Sequence, residues 1–227
     1  MALILHINTA QEEATVALSE NNIVIEIVQN QKNHAGFLQS AIQKIIQHSA
    51  FSIQHIDAVE VVAGPGSYTG LRIGLASAKG LCYALNIPLI TLNTLKVMAA
   101  AAISLSAHQS TTTLFCPMID ARRNEVFTAV YDNKLNAVLK PCAIVLNEES
   151  FMDIRKNYDF IVFGSGAAKW NAVYTNSNTI EISTISMVYA QVLLAHTYFK
   201  NKVFADTAYA EPFYLKDFYS PAQKKSI

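Results

Sequence analysis

The sequence has little charge, little cysteine and few residues that break regular structure. Charged residues occupy 15% of its 227 positions, with 17 Lys and Arg against 17 Asp and Glu, where about 25% is usual in soluble proteins. Hydrophobic residues make up 52%, which excludes intrinsic disorder because disordered chains combine low hydrophobicity with high net charge. With 8 Gly and 6 Pro, collagen-like and low-complexity classes are excluded as well.

Other features that the sequence lacks limit where the protein is expected to act and what it is expected to bind. Its most apolar run, 97–103, is far shorter than the roughly 20 residues of a transmembrane helix, so no membrane contact is expected. Cys82, Cys116 and Cys142 lack CxxC spacing and are predicted to be buried, reduced thiols. With no basic leader at the N-terminus, a cytoplasmic location is expected. The zero formal net charge argues against unaided binding of nucleic acid, which usually requires a basic excess.

Patterns of strands and helices occur twice in the same order. In the first half, strands are predicted at 3–9, 14–20, 23–29, 59–63 and 88–92, and helices at 35–48, 70–85 and 94–105, the last capped by Thr94. In the second half, strands are predicted at 114–121, 125–131, 143–145 and 160–163, and helices at 147–156 and 187–200, before an extended tail at 210–215.

A shift of 112 residues brings the two halves into register without a gap. It places similar residues opposite one another: Ile7 on Ile119, Asn8 on Asp120, and Glu13 on Glu125. Repetition of this kind indicates two similar units, and helices that follow a mixed sheet in both halves indicate the α/β class. The sequence therefore predicts two βββαβα lobes, 1–107 and 108–227, that meet in a polar segment.

A glycine-rich turn, Gly64-Pro-Gly-Ser-Tyr-Thr-Gly70, joins a short strand to the second helix. Such a turn can present backbone N–H groups to an anion. However, no lysine follows Gly70 as a P-loop requires, and the third glycine comes one residue late for a dinucleotide fingerprint. Phosphate binding and a tight structural turn both remain open, and the spacing favours the structural turn.

The first two helices carry more apolar surface than one sheet contact needs. Around Leu38, the apolar arc of the first helix spans about 180°. The second helix has a sheet-facing side and a second side of mostly small residues. Glycine inside a helix costs about 0.5–1 kcal/mol relative to alanine, so Gly74 and Gly80 are expected where something approaches the backbone closely. These helices are predicted to form a partner-binding face, although packing within one lobe stays an alternative.

The stretch from Gly64 to Leu81 resembles the signature of the bacterial TsaB (YeaZ) family of tRNA threonylcarbamoyladenosine biosynthesis proteins. Segments 4–10, 119–127 and 212–215 match in the same order. The resemblance implies an actin-like ATPase (ASKHA) fold of two RNase H-like lobes, in agreement with the shifted repeat. It also implies a non-catalytic subunit that supports TsaD, which transfers threonylcarbamoyl to an adenosine of tRNA with the help of the ATPase TsaE. Contact with tRNA would then be indirect, through the complex.

The resemblance also implies where partners bind. In this family the first two helices pair with the same helices of TsaD, or of a second copy. The matching positions are Phe37, Leu38, Ile42, Ile45, Gly70, Arg72, Ile73, Gly74, Ser77 and Leu81. We therefore expect TsaD to bind here, and the chain to form a homodimer in its absence.

The cleft of an actin-like ATPase binds nucleotide and Mg²⁺ through an aspartate on the first strand. Here that position is Asn8, and an amide lacks the charge of a carboxylate ligand. The resemblance implies at most a vestigial nucleotide cleft, at Asn8, Asp120, Gly164 and Gly166. Asp120 is more simply interpreted as a strand-end residue that bonds to the Arg122–Arg123 turn.

No metal, cofactor or catalytic residue is expected. Catalytic members of the superfamily use an H-x-x-x-H metal pair, and no two of the six histidines are four apart; His34, near a ligand position of TsaD, has no such partner. Ser67 does not lie in a G-x-S-x-G elbow. Two enzymatic alternatives remain open: a nucleotide-binding phosphotransferase and a glycoprotease-type peptidase.

Overall fold

The first lobe begins as an antiparallel meander and continues with two parallel strands. The structure, a computed structural model, describes residues 2–30, 34–106, 112–174, 178–180 and 182–216. The strands of this lobe are β1 (Leu3–Asn8), β2 (Ala14–Glu20), β3 (Ile23–Asn30), β4 (Ala58–Gly64) and β5 (Leu89–Asn93), in the sheet order β3-β2-β1-β4-β5. Its helices are α1 (His34–His48), α2 (Tyr68–Leu85) and α3 (Thr94–Leu105).

The second lobe repeats this sheet with shorter outer helices. Its strands are β6 (Thr113–Asp120), β7 (Glu125–Tyr131), β8 (Ala137–Val145), β9 (Asp159–Phe163) and β10 (Asn178–Thr179), in the order β8-β7-β6-β9-β10. Its helices are α4 (Met152–Arg155), α5 (Ala167–Val173) and α6 (Thr184–Lys200). The equivalent strand order of the two sheets matches the repeat found in the sequence.

The core lies in layers on both sides of the two sheets. Helices α1 and α2 cover the outer face of the first sheet through one apolar cluster. Helices α3 and α6 form a shared middle layer, with α3 against β6 and β7 and α6 against β1, β2, β3 and β5. Because each middle helix packs on the sheet of the opposite half, the lobes share one large core cluster.

Local chemistry explains the limits of the second helix. Ser67 caps it through Oγ, which accepts from the Gly70 N–H at 3.2 Å, as N-cap serines do. The helix ends at Asn86, which adopts the left-handed conformation and donates its N–H to the Cys82 carbonyl. Asparagine tolerates this conformation better than most residues with a Cβ.

Two local expectations were wrong, one strand was predicted incompletely and one helix was missed. The cap of α3 is Asn93, whose Oδ1 accepts from the Leu95 and Lys96 N–H groups at 3.0 and 3.3 Å, rather than Thr94. The helix predicted at 147–156 is confined to Met152–Arg155 because Asn147 starts a hydrogen-bonded turn. Residues 143–145 lie in a strand as predicted, but that strand, β8, already begins at Ala137. Its Pro141 is tolerated because β8 lies at the edge of the sheet. Helix α5 was missed.

The predicted lobe boundary, between residues 107 and 108, lies outside the described residues. Within the described part of the chain, no helix combines the length and apolarity needed to cross a bilayer.

Candidate functional site

A cleft of about 1690 Å³ lies between the lobes. Its walls come from the β1–β2 turn, the turn before α2, the loops after β6 and β9, and the tail at 213–216. The carboxyl ends of β1 and β6 meet here, which is where open α/β sheets bind ligands. The predicted vestigial nucleotide site belongs to this region.

Asn8 is a structural residue of the first turn. Its side chain is buried and its Oδ1 accepts from the Ala10 N–H at 3.1 Å. It is not among the residues that line the cleft. The buried side-chain amide of Asn8 therefore stabilises the turn between β1 and β2 from the interior of the protein.

Asp120 does line the cleft, but its carboxylate is already bonded. Oδ1 accepts from Lys169 Nζ at 2.7 Å and from the Arg122 N–H at 2.6 Å, which confirms the predicted bond to the turn. The hydrogen bond from Lys169 lowers the pKa of Asp120 below its usual value. Asp120 is thus an ionised partner of a lysine.

The two loop glycines are explained by packing against β6. Gly164 has a φ of +96°, a region that favours glycine. A Cβ at Gly166 would lie 2.8 Å from Val126 Cγ1 and 2.9 Å from Met118 Cβ. Both positions need glycine for the chain's own fold.

The residues of the cleft do not fit a nucleotide with Mg²⁺. The first-strand carboxylate is replaced by a bonded amide, and the second is neutralised by Lys169. The described lining carries three carboxylates, of Glu12, Glu13 and Asp120, against the two cations Arg122 and Lys216, so it offers phosphate no cationic excess. Among the described residues, no group of three His, Cys, Asp or Glu side chains is placed to hold a metal.

The tail of the chain crosses the mouth of this cleft. The Phe213 N–H donates to the Ala63 carbonyl at 2.7 Å, and the Tyr214 ring packs on Tyr68 with centroids 5.3 Å apart. Lys216 then pairs with Glu125 of β7. The tail thereby ties the first lobe to the second.

The glycine-rich turn packs against the chain itself. The Ser67 N–H donates to the Ala10 carbonyl at 2.7 Å, and Thr9 Oγ1 donates to the Gly70 carbonyl at 2.7 Å. These bonds favour the structural turn over a phosphate loop. Because Ser67 Oγ serves as the cap of α2, it is not held by a base as a nucleophile would be.

A second candidate site is a groove of about 490 Å³ between α1 and α2, called here the α1–α2 groove. It is lined by Gln39, Ile42, Gln43, Ile46, Gln47, Ile53, Ser77, Gly80 and Leu81. None of these residues is charged. The isoleucines and Leu81 are half-buried, so they retain surface that a partner can cover.

The structure divides the ten predicted interface residues into two sets. Five lie buried in the chain's own first lobe: Phe37, Leu38, Ile45, Gly70 and Gly74. The other five keep exposed surface: Ile42, Arg72, Ile73, Ser77 and Leu81. The first set is covered by the chain's own first lobe, because the helical arc centred on Leu38 is the side that packs on the sheet. A role of these five residues in a partner interface stays a prediction.

Sequence reasoning missed most of the groove's rim. Gln39, Gln43 and Gln47 lie along one side of α1, and Ile53 lies beyond that helix on a 3-10 turn. The spacing of four between these glutamines is a signal that marks one uncharged stripe beside Ile42 and Ile46. His34 begins α1, but its side chain lies outside the described part of the structure.

The two glycines inside α2 have different surroundings. A Cβ at Gly74 would collide with Thr9 Oγ1 of the same chain. A Cβ at Gly80 would meet nothing within 4 Å. The predicted close approach is therefore intramolecular at Gly74, whereas Gly80 lies open in the α1–α2 groove.

Comparison with known proteins identifies the family. A family model described as TsaD, tRNA N6-adenosine threonylcarbamoyltransferase, matches residues 22–218. The chain belongs to this family. Among curated TsaD-family relatives, the tRNA threonylcarbamoyladenosine biosynthesis protein TsaB of Bacillus subtilis is 33% identical over 133 residues, or 58% of this chain and 56% of that relative. The resemblance to TsaB in the sequence is thus confirmed, and the chain spans about half the length of such relatives.

Solved structures show the fold of this TsaD-family chain. YeaZ from Pseudomonas aeruginosa superposes with a TM-score of 0.78 at 20% identity, covering 95% of this chain and 100% of that one. An inorganic polyphosphate/ATP-glucomannokinase from Arthrobacter sp. strain KM superposes with a TM-score of 0.50 at 9% identity, covering 87% and 99%. The predicted two-lobed, actin-like α/β fold is confirmed.

Proposed function

We propose that the chain is a non-catalytic subunit in tRNA threonylcarbamoyladenosine biosynthesis that binds the threonylcarbamoyltransferase TsaD through the α1–α2 groove. The observation that carries this proposal is the open groove on the first lobe, lined by half-buried apolar and uncharged side chains. Family membership supplies the reaction to which the groove contributes.

The composition of the groove suits a permanent protein contact. Ile42 and Ile46 on one wall face Leu81 on the other, with glutamine amides at the rim. Since no charged group lines it, a partner helix removes apolar surface from water without the desolvation penalty of an ion. An apolar centre with a polar rim is the usual anatomy of a protein interface.

A supporting role also accords with the state of the cleft. Its polar groups bond to one another and its mouth is crossed by the tail. Phosphoryl transfer and peptide hydrolysis therefore gain no support from a specific residue. TsaE and tRNA would act on the assembled complex in the cytoplasm, with this chain orienting TsaD.

One surface would serve two associations. A homodimer through the α1–α2 groove is isologous, so each copy covers the groove of the other. Binding of TsaD would then compete with the homodimer. Added TsaD should dissociate the homodimer into one-to-one complexes.

The test is a charge placed in the groove. Replacing Leu81 with Asp should weaken binding to TsaD by about 30-fold, or about 2 kcal/mol, the scale of an interface hot spot. Calorimetry and a reconstituted tRNA modification assay measure the change. Val145→Asp on β8, at a residue 63% exposed, is the matched control and should leave binding unchanged.

Two results would contradict the proposal. Leu81→Asp could bind TsaD as tightly as the wild type, which would place the interface elsewhere. Alternatively, the isolated chain could bind ATP and Mg²⁺ at micromolar concentration with turnover, which would make it a phosphotransferase in its own right.

A further inference from the structure

A buried polar network joins helix α6 to the first sheet. His6 of β1 lies between Glu60 of β4, with Nδ1 and Oε2 3.0 Å apart, and Ser19 of β2, with Nε2 and Oγ 2.7 Å apart. Ser19 Oγ lies 2.8 Å from Nε2 of His196 on α6. Also on α6, Gln191 donates from Nε2 to Glu60 Oε2 at 2.6 Å.

The network is buried, so a charged side chain within it carries a large desolvation cost. His6, Ser19, Glu60 and Gln191 are almost fully buried, and only His196 reaches half-exposed surface. No lysine or arginine is paired with Glu60 among the described residues. A buried carboxylate without a cationic partner is strongly disfavoured relative to the neutral acid.

Other titratable groups on the surrounding elements make separate contacts or lie apart. Lys96 of α3 donates to the hydroxyl of Tyr198, and Glu13 accepts from Thr184 at the start of α6. On the other face of the sheet, Glu26 of β3 approaches His48 of α1. The remaining titratable groups on β2 and α6 are Glu20, Tyr189 and Lys200, and those on α2 are Tyr68, Arg72, Lys79, Cys82 and Tyr83.

Two orphaned acceptors indicate where the proton resides. Glu60 Oε1 and Gln191 Oε1 are both buried without a hydrogen-bond partner, although the two side chains are joined through their other polar atoms. An unmet buried acceptor costs about 1–3 kcal/mol. Because Oε1 of Glu60 has no donor, a carboxylate charge is poorly stabilised there, and protonation of Glu60 removes it. The acid O–H can then donate from Oε2 to His6 Nδ1.

We propose that this network is a proton-controlled latch, in which a neutral Glu60 holds α6 on the first sheet and loss of its proton loosens that contact. Helix α6 comes from the second half of the sequence, so the latch couples the two halves of the chain. It is independent of the groove that would bind TsaD.

The network also provides a balanced route for the proton. Glu60 Oε2–H can give its proton to His6 Nδ1 while His6 Nε2–H gives one to Ser19 Oγ, and Ser19 gives its own to His196 Nε2. Three O–H or N–H bonds break and three form. The result is a Glu60 carboxylate and a His196 imidazolium, which releases a proton to solvent from its other ring nitrogen.

The pH dependence follows from the direction of each shift. Burial raises the pKa of Glu60 well above its usual value, and burial lowers the pKa of His6 to about 3 and that of His196 below its usual value. Below about pH 6.5 the unfolded chain protonates its histidines, which opposes the effect of Glu60. Above about pH 6.5 the native state alone retains the Glu60 proton, so stability falls as pH rises towards the pKa of native Glu60.

Urea unfolding of the full chain between pH 6.5 and 9 tests the latch. The ratio of unfolding constants, wild type over Glu60→Gln, should rise up to tenfold per pH unit until the native pKa is reached. The matched control, Glu26→Gln, should follow the wild type. A ratio that stays constant across this range would overturn the proposal.

Two further measurements do not depend on variant stability. The infrared spectrum of the folded wild type at pH 7 should show the carbonyl stretch of a protonated carboxylic acid, and its absence would show that Glu60 is ionised. At a pH above the native pKa found in the urea experiment, hydrogen exchange should be faster in α6 of the wild type than in α6 of Glu60→Gln compared at the same pH. Equal α6 exchange would overturn the coupling to the helix.

Discussion

The two lobes share a sheet but differ in their outer layer. In the first lobe the outer face carries helices of 15 and 18 residues, whereas the corresponding helices α4 and α5 of the second lobe have 4 and 7. The strand order is equivalent in both. The two lobes therefore differ in the helices that cover the outer face of the sheet and not in the order of the strands.

The outer face of the second lobe is sealed by its own aromatic side chains. Trp170 packs against Phe151, Phe160 and Tyr174, with ring centroids 5.3 to 6.1 Å apart, and Arg155 lies over two of the rings. The first lobe has no such seal at the α1–α2 groove, where Ile42, Ile46 and Leu81 remain half-buried. The aromatic cluster around Trp170 thus covers the outer face of the second lobe, whereas apolar surface stays accessible in the α1–α2 groove of the first.

The largest expected loss of stability comes from removing the Trp170 side chain from the core of the second lobe. Trp170 is 1% exposed, so Trp170→Ala should reduce the free energy of unfolding by about 3–5 kcal/mol, the cost of a large cavity. Urea titration measures this loss. Affinity of the remaining folded protein for TsaD should stay within about twofold, and a larger fall would erase the distinction between the lobes.

A smaller effect is expected inside α2, where the first lobe is closely packed. Gly74→Ala places a methyl group against Thr9 Oγ1 and should cost about 1–3 kcal/mol, as overpacking does. Thermal and urea unfolding of the isolated chain test it. A variant as stable as the wild type would mean that Thr9 moves aside and that Gly74 is not closely packed.

The smallest effect has the opposite sign. Gly80→Ala adds a methyl group to an open site of the same helix and should stabilise the chain by about 0.5–1 kcal/mol through helix propensity. The same unfolding measurement serves both glycines. If Gly80→Ala destabilises the chain, the groove is less open than its geometry indicates.

Most of the fold could be predicted where the signal is local. The meander β1 to β3 and the helices α1, α2 and α3 follow from periodicity and turn residues, within two residues at each end. The errors concentrate in the second lobe. There α4 is shorter and α5 was missed, because such short helices are stabilised by tertiary contacts of Trp170 and Phe151 rather than by an amphipathic period.

The candidate site could be predicted only in outline. The sequence singled out α1 and α2, between which the structure places the α1–α2 groove, but a helical wheel cannot say which side of a broad apolar arc faces its own sheet. Ile42 and Leu38 look alike on the wheel, and one lies in the groove while the other is fully buried. Nothing in the spacing of His6, Glu60 and Gln191 along the chain indicates that they meet.

By itself the sequence determined the strands, the long helices and the internal repeat, because these depend on neighbours a few residues apart. It also determined the family, through the continuous segment from Gly64 to Leu81. Tertiary structure decided which apolar side chains become core, which glycine is crowded, and that Glu60 of β4 meets Gln191 of α6. Those outcomes depend on contacts between segments up to 131 residues apart, which no local pattern encodes.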